Sequence, residues 1–135
     1  MMIFRHLLFL LLPIFLFSQI NLFEKKEFIV KNDTLKYRVL APLDYDVNKK
    51  YPVHLFLHGA GERGSDNESQ LIHGAKLFLK KSNRKKFKSW VIFPQSPEND
   101  WWGGHYDPYK FDYEVRESNA LNLVALFMDN FIKRK

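Results

Sequence analysis

The 135-residue chain contains no cysteine. Disulfides therefore contribute nothing to its stability, a lipid-modified amino-terminal cysteine is excluded, and the fold must rest on a packed core. No uninterrupted apolar run reaches the roughly 20 residues that a membrane-spanning helix needs. No zinc or other metal site is read from the five histidines. Basic residues are not interleaved with aromatics in the manner of single-strand binders, so nucleic acid is not an expected partner. The formal charge of +6 reads instead as a solvated basic surface. No internal repeat or low-complexity tract is present, and the length allows one domain at most, at about 100–200 residues per domain.

What is present begins with a targeting signal. Arg5 and His6 precede an apolar run from Leu7 to Phe17, which stops at the small residue Ser18. A positive start, a short apolar stretch and a small residue at its end describe a signal peptide. Residues 1–18 are expected to be removed before Gln19, leaving 19–135 as the mature portion. That places the protein in the periplasm or outside the cell, with no membrane span once the signal is cleaved.

The stretch around which the rest is arranged is Val53 to Gly64, where an apolar run ends abruptly at a loop holding Gly59, Gly61 and Gly64. Strand, glycine-rich loop and helix in succession present backbone N–H groups at the carboxyl end of a strand, where α/β sheets bind ligands. Ahead of it, Glu27–Val30 and Thr34–Leu40 are β-rich, and Lys31-Asn32-Asp33 between them suits a tight hairpin, with the Asn-Asp pair tolerating positive φ. In the second run Leu35, Tyr37 and Val39 alternate with Lys36, Arg38 and Leu40, which predicts one wet face near a sheet edge. Val53–Leu57 is apolar at almost every position except His54 and reads as a strand covered on both faces.

After the loop, Asp66 or Asn67 is placed to cap a helix, with Gln70 three residues beyond Asn67 as in a capping box. Leu71, Ala75, Phe78 and Leu79 then share one helical face. Ser82–Ser89 reads as a basic loop, Trp90–Pro94 as a second buried strand ended by its proline, and Gln95–Phe111 as a long loop. The last helix, about Ser118 to Ile132, carries the stripe Leu121, Val124, Ala125, Met128, Phe131 and Ile132. The order is a β-hairpin followed by β-α-β-α, so the expected class is α/β with a mostly parallel sheet.

Leu57-His-Gly-Ala-Gly-Glu-Arg-Gly64, followed by Asp66-Asn-Glu68, Gln70-Leu71, Phe93-Pro-Gln-Ser-Pro97 and Trp101-Trp102, resembles secreted carboxylesterases of the α/β-hydrolase superfamily. The branch is that of dienelactone-hydrolase-like and polyhydroxyalkanoate-depolymerase-like esterases, often labelled phospholipase/carboxylesterase. The resemblance runs from about Tyr37 to the C-terminus. It implies an oxyanion-hole amide in the His-Gly loop, with Ala60 the first candidate and Gly59 and Gly61 next. Fixed N–H donors there would stabilise the negative oxygen of a tetrahedral acyl intermediate. It implies a small-molecule or polymeric ester as substrate and no cofactor.

Glu62 and Arg63 read as an ion pair bracing that loop. His58 either fixes the loop or touches substrate. Trp101 and Trp102 either wall a substrate pocket or fill core beneath the loop.

The family's nucleophile lies in a Gly-x-Ser-x-Gly elbow, followed by an acid and a histidine. None of the seven serines here has glycine two residues away on both sides. The triad is therefore absent from this chain, which is expected to be the N-terminal portion of an incomplete α/β-hydrolase fold, inactive alone. Two other functions stay open: a fragment of a prolyl-oligopeptidase-type serine peptidase, and a non-catalytic exported module that binds carbohydrate or polymer through the tryptophan-rich loop.

Overall fold

A computed structural model describes residues 20–103, 105–107, 112–114 and 118–135. The expected signal peptide, Gly104 and Pro108 lie outside the described residues. Four strands form one mixed sheet in the order β1-β2-β4-β3: β1 (Glu24–Val30), β2 (Asp33–Leu40), β3 (Val53–Leu55) and β4 (Trp90–Gln95). β1 and β2 pair antiparallel, β2 and β4 antiparallel, and β3 and β4 parallel. The helices are α1 (Ala75–Leu79), α2 (Lys81–Lys86) and α3 (Asn119–Arg134). A separate antiparallel pair, β5 (His105–Asp107) and β6 (Asp112–Glu114), occupies part of the stretch expected to be loop. The class is α/β, as expected from the hairpin and the β-α-β-α order.

β4 is the spine, and all six of its residues are buried. Val91 and Phe93 join Phe23, Leu40, Leu71, Ala75 and Leu79 on one face of the sheet. Trp90 and Ile92 join Leu35, Val39, Leu123, Val124 and Phe127 on the other. A strand covered on both faces reads as a continuous apolar run because neither face can be polar.

Pro94 does not end the strand. The N–H of Trp90 and the carbonyl of Ile92 both point toward β3, so position 94, two residues on, points the same way. It lies beyond the last β3 partner pair, Leu55 with Ile92, where a missing N–H costs no ladder bond.

Several sequence expectations are corrected by packing. The positive φ of the hairpin falls on Lys31, at 55°, and not on the Asn-Asp pair. With Val30 opposite Asp33, Lys31 is the first of two loop residues, where the favoured hairpin turns need φ above zero. The expected wet face of β2 is largely covered: Arg38 lies under the Asn67 carbonyl and Leu40 packs with Leu71, so both are buried along with Leu35 and Val39, while Lys36 is half-buried. β3 is not covered on both faces: it is an edge strand of the described sheet, with Leu55 37% accessible and Leu57, just past its end, 38%.

The expected single helix after the glycine loop is three short pieces: a 3₁₀ turn at Ser69–Leu71, then α1, then α2 where a basic loop was expected. Gly74 breaks it. Its φ is 86°, and a Cβ built there would lie 2.7 Å from the Phe56 ring. Lys80 is non-helical and separates α1 from α2.

α3 begins where expected, with the Ser118 side chain accepting from the Leu121 N–H at 3.0 Å. Its buried face is Ala120, Leu123, Val124 and Phe127, while Leu121, Leu126 and Ile132 are exposed. The helix is apolar nearly all round, so periodicity does not choose between adjacent stripes. The sheet does: Phe127 packs on Phe28 and Tyr37, and Phe131 on Trp90.

Candidate functional site

The site grows from the carboxyl end of β3. Leu57 leads into His58, which is buried, and then into the exposed turn Gly59–Ala60–Gly61. Both ring nitrogens of His58 are engaged. The backbone N–H of Ser96 donates to Nε2 at 3.0 Å, so Nε2 carries the lone pair. Nδ1 then carries the proton and donates to the Gly59 carbonyl at 2.6 Å. Trp102 closes the arrangement: its indole N–H donates to the His58 carbonyl at 3.1 Å, with the two rings 5.1 Å apart. Gly64 N–H reaches the Ser96 carbonyl at 2.9 Å, a second tie between the loops that follow β3 and β4.

Ser96 beside His58 has the composition of a catalytic dyad without its geometry. It is the Ser96 amide and not the hydroxyl that meets the imidazole, and Ser96 is fully buried. The other nitrogen meets a carbonyl where a triad needs a carboxylate. His54 and His58 stand at an H-x-x-x-H spacing, but they lie on an extended segment. His54 is exposed against Phe78, and His58 has no free nitrogen. Among the described residues no group of three His, Asp or Glu side chains gathers to hold a metal.

Glu62 and Arg63 do not pair with each other. Glu62 is buried and meets His73 at 3.3 Å. Arg63 donates Nε to the Ala60 carbonyl at 2.9 Å and Nη1 to the Glu98 carbonyl at 2.8 Å, and its guanidinium lies 3.6 Å over the Trp101 ring. The loop is braced, but through carbonyls. Consecutive side chains point apart in this turn, and each finds a different wall.

Behind the turn lies a polar network that the spacing of Asp66, Asn67 and Gln70 only partly announced. Asp66 accepts from the N–H groups of Glu68 and Ser69, from the Ser69 hydroxyl and from the Gln95 amide. Burial pushes its carboxyl up, but those hydrogen bonds outweigh burial and hold it well below the usual carboxylate range. Gln95 also takes the Asn67 N–H at 2.7 Å, and Gln70 donates to the Asn67 side chain at 2.6 Å. Arg38, its basicity lowered by burial, reaches the Asn67 carbonyl at 3.4 Å.

The tryptophan loop is fastened by Asp100, which accepts from Trp101 N–H and, at the start of α3, from Ala120 N–H, both at 2.7 Å. Sequence reasoning missed Asp100 and His73; an aspartate just ahead of paired tryptophans carries no local sign of a distant helix cap. Trp102 packs against the core under α3 while Trp101 carries Arg63. An apolar cavity of about 270 Å³, lined by Leu40, His54, Leu77, Phe78 and Phe87 among others, opens toward the amino end of β4. It lies away from the glycine turn.

The turn leaves its own amides unused. Gly59, Ala60 and Gly61 are exposed, and none of their N–H groups donates in the hydrogen bonds of the described residues. The Glu62 N–H closes the turn on the Gly59 carbonyl at 3.4 Å. What such an arrangement offers chemically is a pair of main-chain donors at the carboxyl end of a parallel strand.

No family model matches the chain, and no curated protein sequence matches it. Among solved structures it is similar to a thermostable esterase, with 28% identity and a TM-score of 0.68 over 84% of this chain and 31% of that one. It also matches a CE1 ferulic acid esterase from Anaeromyces mucronatus, with 22% identity and a TM-score of 0.49 over 82% of this chain and 41% of that one. The same enzyme in complex with ferulic acid matches at 20% identity and a TM-score of 0.49, over 82% and 40% of the two chains. The chain thus spans under a third of the thermostable esterase's length, and over that span it has the same esterase-like α/β fold.

Proposed function

We propose that this chain is the oxyanion-donating, N-terminal portion of a secreted serine carboxylic-ester hydrolase. One observation carries the reading: Ala60 and Gly61 are exposed just past the carboxyl end of β3, and among the described residues their N–H groups donate no hydrogen bond. The likeness to the thermostable esterase supports it. In the reaction a serine hydroxyl attacks the ester carbonyl carbon, and the carbonyl oxygen gains charge as its double bond opens. Ala60 N–H, with Gly61 as its neighbour, donates to that oxygen, while a histidine takes the hydroxyl proton.

The attacking serine, the histidine and the acid come from polypeptide outside this sequence, which has no Gly-x-Ser-x-Gly elbow. The chain alone is therefore silent toward esters. Trp101 and Trp102 flank the turn and form one wall of the acyl site, and His58 acts by holding the turn.

The test is a chimera in which residues 20–135 replace the matching third of the thermostable esterase. The chimera should label with a fluorophosphonate probe and hydrolyse p-nitrophenyl acetate, while the chain by itself does neither. A folded chimera that labels but does not hydrolyse, or labelling of a serine within this chain, would contradict the proposal.

A further inference from the structure

The ester-hydrolase reading needs donor amides that already point outward before substrate arrives. Resting on that reading, we infer that His58 and Arg63 are positioning residues: each captures one carbonyl of the turn and thereby aims the amide of the same peptide. In a trans peptide the C=O and N–H lie on opposite sides of the C–N bond, and none of the described peptides is cis. The orientation of one group therefore dictates that of the other.

The Gly59–Ala60 peptide has its oxygen 2.6 Å from Nδ1 of His58, whose proton is fixed there because Nε2 is occupied by the Ser96 N–H. That oxygen is drawn toward the buried ring, so the Ala60 N–H at the other end of the peptide faces away from it. The Ala60–Gly61 peptide has its oxygen 2.9 Å from Nε of Arg63, so the Gly61 N–H faces away from the guanidinium. Arg63 does not swing freely. The Glu98 carbonyl holds Nη1 at 2.8 Å and the Trp101 ring lies beneath it at 3.6 Å.

Gly59 and Gly61 on either side of Ala60 permit either sign of φ, and the turn's own Glu62 N–H holds the Gly59 carbonyl only at 3.4 Å, so without side-chain partners both peptide planes would be weakly held. Donors that must rotate during the reaction lose the advantage of being fixed in advance. The two captured carbonyls remove that freedom. They also give Trp101 a role as the platform on which the aiming guanidinium rests.

The isotope-labelled 135-residue chain, studied by NMR at a concentration below self-association, tests this directly. A coupling across the hydrogen bond from Arg63 Nε to the Ala60 carbonyl carbon is expected. In Arg63→Ala the residual dipolar coupling of the Gly61 N–H should change while that of Ala60 is kept, and low guanidinium should restore it. In His58→Phe the Ala60 coupling should change first. An unaltered Gly61 coupling in a folded Arg63→Ala variant would overturn the inference; should that variant not fold, absence of the cross-bond coupling in the native chain would overturn it equally. Titration with acetate is the separate arm, and shifts of the Ala60 and Gly61 amides are expected. Reorientation without any acetate response would keep the positioning role and count against the ester-hydrolase reading.

Discussion

The backbone N–H of Ser96 donates to Nε2 of His58 across 3.0 Å, joining the end of β4 to the loop that leaves β3. Through that one bond the tautomer of a buried histidine is set by a neighbouring strand, and the Gly59 carbonyl is set by the tautomer. The shape of the turn is thus inherited from the sheet.

The first expectation concerns that ring. Long-range nitrogen–proton correlation should find His58 neutral with its proton on Nδ1. Replacing it by Phe leaves the Ser96 N–H buried without a partner, which costs about 1–3 kcal/mol. Denaturant unfolding of the variant checks the magnitude, and a loss near zero would mean that the bond is absent in solution.

Gly74 should tolerate no side chain. Gly74→Ala meets Phe56 at 2.7 Å while holding φ at 86°. Overpacking costs about 1–3 kcal/mol, and the left-handed backbone adds roughly 1–2 kcal/mol. Trimming Phe56 to Ala in the same background should recover the packing part alone, so a double-mutant cycle by denaturant unfolding separates the two.

Asp66 makes the fold acid-sensitive. Its carboxyl titrates below the usual range in the folded chain, so its hydrogen bonds contribute stability that is fully present above the unfolded value of about 4. That contribution is lost as pH falls from there through the lower folded value. Asp66→Asn should therefore be less stable at neutral pH and show a flatter decline below pH about 4. Melting curves over that window read the slope, and equal slopes would exclude Asp66 as the cause.

The outer edge of β3 should be sticky. Leu55 in β3 and Leu57 just past it are each more than a third exposed at the edge of the sheet formed by the described residues, the arrangement that invites another strand. Sedimentation should show concentration-dependent association, reduced by Leu55→Lys. Association unchanged by that substitution would place the contact elsewhere.

Much of this was legible in the chain. The period of two in β2, the apolar runs of β3 and β4 and the glycines between them come from local rules, and they gave the hairpin, the parallel pair and the position of the turn. What local rules did not carry was decided by distant partners. Phe56 splits the expected helix at Gly74, and Phe28, Tyr37 and Trp90 choose which stripe of α3 is buried. Arg38 is drawn inside because the segment around Asn67 packs over the face that looked wet. In the site, the His-Gly-Ala-Gly string announced the turn, whereas Arg63 reading carbonyls in place of Glu62, and Asp100 capping α3, depend on loops 35 and 20 residues away.

The most direct test of the central claim removes a single donor. Gly59 is extended, with φ −78° and ψ −178°, and Ala60 begins the 3₁₀ turn, a position where proline fits without disturbing the backbone. Ala60→Pro in the esterase chimera removes the N–H and sets the ring Cδ where the hydrogen stood. If that amide stabilises the acyl oxyanion, kcat for p-nitrophenyl acetate should fall about 10²–10³-fold, with fluorophosphonate labelling still detectable and KM little altered. An unchanged kcat in the folded proline variant would contradict the claim.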